Sequence, residues 1–226
     1  MKKIFLLCLS TITILSAAQE MYSIKRLSLD PVNYVASGKM SLVTGDDTID
    51  FKMVVKSKRE RLKKVDSGYS QKEVAIVMTA QNGNTSISNS TTTTFYDKNF
   101  NIIYLQETSE KKGELVKTTC RRFSKDVKFI GFNIPLGYHS DVAHLRCSDK
   151  TLRDFSSLLF KQDDGTIIYR VQRYMSRRSL GTGHIDINAE TDYLITKKGD
   201  ILKIKGTVLA ENLFHSSFES DDISEK

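Results

Sequence analysis

Two histidines and an aspartate lie close together in the segment His139-Ser-Asp141-Val-Ala-His144. Imidazole nitrogens and carboxylate oxygens are common ligands of transition metals, so these three residues are a candidate metal site. The H-x-D-x-x-H spacing is not specific for metal binding, and on a strand Asp141 and His144 would point to opposite faces. A structural role is therefore favoured, and a hydrolase site assembled from scattered residues such as these is the alternative.

Six basic residues are concentrated in the sequence KSKRERLKK, which spans residues 56–64. They are Lys56, Lys58, Arg59, Arg61, Lys63 and Lys64. Such a run can attract anionic lipid, glycan or nucleic acid, so these residues are possible contacts to an anionic ligand. The run has no interleaved aromatic residues, which argues against nucleic acid. Lysines also block further pairing at a sheet edge, and this structural interpretation is favoured.

A second basic group consists of Arg170, Arg173, Arg177 and Arg178. Guanidinium groups recognise carboxylates and phosphates through paired N–H donors. Residues 167–175 alternate between apolar and polar types as a strand does, so Arg170 and Arg173 are expected on opposite faces. The group therefore does not predict a single patch.

No catalytic or cofactor motif is recognisable in the chain. A nucleophile elbow of the G-x-S-x-G type, a phosphate-binding loop and a dinucleotide fingerprint are all missing from the sequence. No catalytic residue and no cofactor is therefore predicted. An enzyme is less well supported than a non-enzymatic protein.

The N-terminal residues predict export. Two lysines at positions 2 and 3 precede a short apolar run from residue 4 to residue 15, and Ser16-Ala17-Ala18 follows. This pattern is typical of a secretory signal peptide, here residues 1–18, that is cleaved after Ala18. The apolar run is too short for a spanning helix, and no later segment is long and apolar enough for one. The mature protein is expected in the periplasm or outside the cell, without a transmembrane segment.

The cysteines predict one disulfide. Of the three cysteines, Cys8 lies in the predicted signal peptide, which leaves Cys120 and Cys147. An even number of cysteines in an exported chain favours a disulfide, with two free thiols as the alternative. In the chain-entropy model, closing a loop of this size stabilises the fold by about 3–4 kcal/mol.

Alternating apolar and polar residues predict an all-β fold. The clearest hairpins join residues 34–42 to 49–55 around a Gly/Asp turn, and residues 185–195 to 201–209 around a second turn. About ten to twelve antiparallel strands are expected, as a sandwich, an open barrel or a strongly curved sheet. Residues 151–160 fit either a short helix or a strand. Residues 19–210 are expected to form a single domain, followed by a polar, flexible tail over residues 211–226.

Composition and pattern together favour a binding protein of the cell envelope. The chain is 39% hydrophobic and 27% charged, which is globular rather than disordered composition. We expect a curved β-sheet that binds a lipid-like, amphipathic ligand or a protein partner. Nucleic acid is not expected. The alternatives are an envelope-assembly subunit that pairs through a free sheet edge, and the secreted hydrolase described above.

Overall fold

The computed structural model describes residues 20–111, 113–124, 131–179, 183–210 and 213–225. The predicted signal peptide lies outside these residues. The described elements are β1 (Met21–Ser23), α1 (Lys25–Ser28), β2 (Val32–Thr44), β3 (Asp47–Arg59), β4 (Lys63–Val65), β5 (Gly68–Gln81), β6 (Asn84–Tyr96), β7 (Ile102–Lys111), β8 (Glu114–Arg122), β9 (Asn133–Pro135), β10 (Ala143–Cys147), β11 (Thr151–Lys161), β12 (Ile167–Ser179), β13 (Gly183–Ile195), β14 (Ile201–Ala210) and β15 (Phe214–Glu225).

Twelve of these strands form a closed antiparallel barrel. Their order around the wall is β3, β2, β15, β14, β13, β12, β11, β10, β8, β7, β6 and β5, and pairing of β3 with β5 closes the ring. The short strand β4 pairs with β5, while β1 and β9 form a separate two-stranded sheet. The prediction of an all-β, antiparallel fold of about ten to twelve strands is confirmed.

The alternation of residue types along each strand explains the two faces of the wall. On β13, the apolar side chains of Ile187 and Tyr193 face the lumen, whereas Asp192 faces outward. Asp192 accepts hydrogen bonds from Arg170 of β12, at 2.6 Å from Nε and 2.8 Å from Nη2. Successive side chains of a strand point to opposite sides, so Arg170 and Asp192 lie on the outer face, where water solvates them.

Both predicted hairpins are present. Thr44 pairs with Asp47 across the first turn, and Gly45 adopts a φ of +60° there. Strands β13 and β14 form the second hairpin, in which Tyr193 lies opposite Ile204. Turn chemistry at Gly and Asp was therefore a reliable signal, because few other residues tolerate positive φ.

Residues 151–160 form a strand rather than the possible helix. Strand β11 pairs along its whole length with β12 and along its first half with β10. Thr151 and Leu159 are buried on the lumen side, while Leu152 is 41% exposed on the outer side. This period-2 burial shows that the helical spacing of Leu152, Phe155 and Leu159 was coincidental.

The predicted polar tail also differs from the structure, because Phe214–Glu225 is strand β15. It pairs with β14 on one side and β2 on the other, and so joins the last hairpin to the first. Ser220 is buried and its Oγ accepts a hydrogen bond from Ile204 N at 2.9 Å. Opposite Ser220, a Cβ on Gly38 would lie 1.9 Å from Glu219 O, so the close approach at this register shift requires glycine.

The predicted disulfide between Cys120 and Cys147 is present. The two residues are directly opposite each other on β8 and β10. Both are buried and pack with Leu105 and Leu145 in a cluster beneath the lumen surface. The bond therefore closes the loop that leaves the wall after β8 and returns at β10.

Candidate binding site in the barrel lumen

One end of the barrel is filled by a plug, which we define as residues 20–30 together with residues 131–140. The apolar side chains of the plug pack on the lumen face of the wall. This core contains Tyr22, Ile24 and Ile134 of the plug, and Leu159, Tyr169 and Ile195 of the wall. We call this end the plug end and the opposite end, which contains the turn between β2 and β3, the hairpin end.

Polar contacts also hold the plug to the wall. The buried Gln71 side chain donates a hydrogen bond from Nε2 to Leu29 O at 2.6 Å. Arg59 Nη1 donates to Arg26 O at 3.2 Å, and the Arg26 side chain pairs with Asp200. The first two of these bonds supply partners for backbone carbonyls of the plug.

The turn between β13 and β14 is a further point of attachment. Ser23 N donates a hydrogen bond to Lys197 O at 3.1 Å. Gly199 adopts a φ of +85°, and a Cβ at this position would lie 2.4 Å from Ser23 O. The turn therefore needs glycine both for its conformation and for the close approach of the plug.

Tyrosines are concentrated at the plug end. Burial raises the pKa of the phenols of Tyr34, Tyr96, Tyr169 and Tyr193. At Tyr193 the nearby Arg173 guanidinium lowers the pKa and offsets part of this effect. Since burial penalises the phenolate, these side chains contribute hydroxyl groups to the lumen without adding charge.

Two adjoining chambers occupy the lumen beside and beyond the plug. The inner chamber, of about 360 Å³, lies against the plug, and the outer chamber, of about 450 Å³, extends toward the hairpin end. Ile102, Phe155 and Arg173 line both chambers and mark where they meet. Volumes of this size are typical of sites for small organic ligands.

The two chambers differ in their lining. Apolar side chains from the plug and the wall, including Ile24, Phe132 and Val171, provide most of the lining of the inner chamber, which also contains Arg122 and Asp141. In the outer chamber, hydroxyl groups of β6 such as Thr92 face apolar side chains such as Ile187 of β13. The lumen is thus mainly apolar beside the plug and mixed nearer the hairpin end.

Most charges that line the outer chamber are paired. Arg59 Nε lies 3.4 Å from Glu73 Oε2, and Glu73 Oε1 also accepts a hydrogen bond from Ser57 at 2.8 Å. Arg153 Nη1 donates to Glu107 Oε2 at 2.6 Å. In each pair the positive and negative charges neutralise each other, which lowers the cost of removing both groups from bulk water.

Arg173 differs from these pairs. Its side chain is exposed to the solvent of the lumen, at the junction of the two chambers. Among the described residues, no carboxylate oxygen lies within salt-bridge distance of its guanidinium. On the outer face, by contrast, Arg170 pairs with Asp192 and Glu190. The opposite orientations expected for the two arginines are found.

The structure does not assemble the histidine segment into a metal site. His144 Nδ1 lies 2.8 Å from Asp154 Oδ1 of β11, while the backbone of His139 bridges to Leu158. Asp141 borders the inner chamber. Within the described ranges, no three His, Cys, Asp or Glu side chains are placed to hold a metal ion together.

The first basic group is divided between the two faces of the wall. Lys56 and Lys58 are exposed on β3, whereas Arg59 turns inward to Glu73. Lys63 lies 3.2 Å from Glu60. Contact of an anionic ligand with the exposed members, which also include Arg61 and Lys64, stays a prediction.

Sequence reasoning named Arg173 only as one member of the second basic group, and it did not anticipate the chambers. The alternation of β12 placed Arg173 on the face of Tyr169 and Val171, which is an apolar face. A lone arginine on the apolar face of a strand was therefore the available signal. The plug could not be anticipated, because residues 20–30 show no pattern that specifies their position inside a barrel.

Comparison with family models, curated proteins and solved structures finds no match for the chain. The described residues contain no helix with the length and hydropathy needed to cross a membrane.

Proposed function

We propose that the protein is an exported, non-enzymatic binding protein that holds a small amphipathic ligand in the barrel lumen. The observation that carries the proposal is the pair of adjoining chambers, which remain unfilled although the plug packs tightly in the same lumen. A barrel that served only as a scaffold would have no need of a polar and apolar lining facing unfilled space.

The division of the lumen supports an amphipathic ligand. The inner chamber offers apolar contacts at Ile24, Phe132 and Val171, while the outer chamber adds hydroxyl and charged groups. A ligand with an apolar tail and a polar head group matches this order. Such a ligand buries its tail beside the plug and leaves its head nearer the hairpin end.

The disulfide supports export. Disulfides persist in oxidising compartments and are rare in the cytosol of most organisms. The Cys120–Cys147 bond therefore agrees with the secretory signal expected in residues 1–18. We expect the mature protein in the periplasm or outside the cell.

The alternative of assembly through a sheet edge has less support. Each of the twelve ring strands has a neighbour on both sides, so the described ring leaves no long free edge for another chain. The hydrolase alternative also lacks support, since His144 is paired with Asp154 away from His139.

A first experiment asks whether the lumen binds apolar molecules. Saturable binding of the neutral dye Nile red, followed by its fluorescence, is expected for wild-type protein. Ala189→Trp places a large side chain in the outer chamber and should weaken binding at least tenfold. Asn188→Trp, one residue away on the outer face, is the matched control and should bind as wild type does.

Native mass spectrometry of protein recovered from its own compartment extends this test. A bound mass of lipid-like size, together with cleavage after Ala18, would support the proposal. Equal Nile red binding by the two tryptophan variants would refute a ligand that spans both chambers, because the dye would then be bound outside the outer chamber.

A further inference from the structure

We infer that the ligand carries an anionic head group, a carboxylate or a phosphate, which is held by Arg173 together with Arg153. This inference rests on the proposed function and names the chemistry of the ligand. It follows from the position, the neighbours and the unused hydrogen-bond donors of the two arginines.

Arg173 provides the first part of the argument. Its guanidinium lines both chambers, and no carboxylate of the described residues forms a salt bridge with it. A cation that faces an apolar cavity is costly unless an anion or water accompanies it. The lumen therefore contains a positive charge for which the described protein supplies no counter-ion at bonding distance.

Arg153 provides the second part. Its Nη1 donates to Glu107, but its Nε is buried and has no hydrogen-bond partner among the described residues. Buried donors without a partner are rare in folded proteins and call for an explanation. An acceptor on a bound ligand would satisfy this atom once the Arg153 side chain turns, because the atom is closed to solvent in the ligand-free lumen.

The register of the sheet places the two arginines together. Phe155 lies opposite Arg173 and Arg153 lies opposite Met175, so Arg153 and Arg173 are diagonal neighbours on the lumen face of β11 and β12. Diagonal neighbours have Cβ atoms roughly 7–8 Å apart, which long side chains easily span. One anionic group can thus contact both guanidinium groups, whose geometry suits carboxylates and phosphates.

The remaining charges agree with this placement. In the outer chamber Glu73 is paired with Arg59, and Glu107 with Arg153. In the inner chamber Asp141 lies near Tyr138 at the plug, and Arg122 has a partner of its own. If the anionic head group lies at the junction of the chambers, the apolar tail of the same ligand can occupy the inner chamber.

The test compares ligands with one tail and different head groups. Isothermal titration with dodecanoate, dodecyl phosphate, dodecanol and dodecyltrimethylammonium, all below their micelle concentrations, measures the contribution of the head. One or both anions should bind roughly ten- to hundred-fold more tightly than the alcohol. Comparing the affinities for dodecyl phosphate and dodecanoate shows which anionic head group is preferred.

Two variants assign the effect to the lumen. Arg173→Met should remove most of the preference for anions and leave dodecanol binding within about twofold of wild type. Glu107→Gln should strengthen anion binding several-fold, because it releases Arg153 from its ion pair. Arg121→Gln, an exposed arginine on the outer face of β8, should change neither affinity.

The outcomes separate this inference from the proposed function. If all four molecules bind with similar affinity, or if Arg173→Met keeps the preference for anions, the inference is wrong but the lumen still binds apolar tails. If none of them binds, the proposed function fails, and the inference fails with it.

Discussion

The two ends of the lumen are built from the same strands but are used differently. At the plug end, Leu159 and Ile134 are fully buried and the backbone of the plug is bonded to the wall. Nearer the hairpin end, Met175 and Ile187 face a chamber and remain partly accessible. The alternation of residue types along a strand determines which side chains face the lumen. Contact with the plug then determines whether such a side chain is buried in the core or remains accessible to a ligand.

Of the changes considered, loss of the disulfide should destabilise the plug end of the lumen most. The loop between Cys120 and Cys147 contains β9, so the bond limits the freedom of half of the plug in the unfolded chain. The double variant Cys120→Ala with Cys147→Ala should lower the free energy of unfolding by about 3–4 kcal/mol in urea titrations. An unchanged midpoint would mean that the plug is held by packing alone.

Truncation of one lumen side chain at each end tests the contrast directly. Leu159→Ala leaves a cavity beneath the plug and should cost about 3 kcal/mol of unfolding free energy. Ile187→Ala in the outer chamber should cost less than about 1 kcal/mol, since its side chain already faces accessible space. Urea unfolding of the two variants measures both, and equal losses would show that the outer chamber is packed like the plug end.

Alkaline pH should affect the plug end through its tyrosines. Burial raises the pKa of Tyr193 in the folded state above its value of about 10 in the unfolded chain. The neutral phenol thus stabilises the fold fully below pH 10, and this contribution is lost as the pH rises from there toward the folded pKa, at up to about 1.4 kcal/mol per pH unit.

The variant Tyr193→Phe isolates this contribution. Its unfolding free energy should decline less steeply than that of wild type above pH 10, as followed by urea titrations at each pH. Its stability at pH 7 serves as the reference, because a packing defect would be present at every pH. Parallel decline in the two proteins would contradict the assignment.

How far the sequence predicts this molecule depends on whether the signal is local. Turns such as Thr44–Asp47 and the alternation of β13 are local, and both hairpins were predicted correctly. Strand β15 was missed because serine and aspartate interrupt its apolar positions, and its pairing with β2 joins residues far apart in the chain. The plug is non-local as well, since its position follows from contacts such as that of Gln71 with Leu29.

The candidate site was predictable only in part for the same reason. The opposite orientations of Arg170 and Arg173 follow from their spacing, but spacing cannot show which face closes into a lumen. Nor could it show that Glu107, forty-six residues away from Arg153 in the chain, is the partner of one arginine, while no carboxylate of the described residues forms a salt bridge with Arg173. The histidine segment attracted attention because its residues are close in sequence, but only His144 lies on a strand, where it pairs with Asp154 of β11, while His139 bridges to Leu158.

The smallest predicted effect compares the two arginines of β12. Arg170 forms a bidentate pair with Asp192 on the outer face, and removing a surface pair of this geometry should cost about 0.5–1 kcal/mol in the variant Arg170→Met. Arg173→Met removes a cation without a salt-bridge partner among the described residues, so it should leave the unfolding free energy unchanged or raise it slightly. Thermal and urea unfolding of the two variants side by side measure the difference. A larger loss for Arg173→Met would mean that this arginine stabilises the ligand-free wall, and its role in binding would then have to be separated from a structural one.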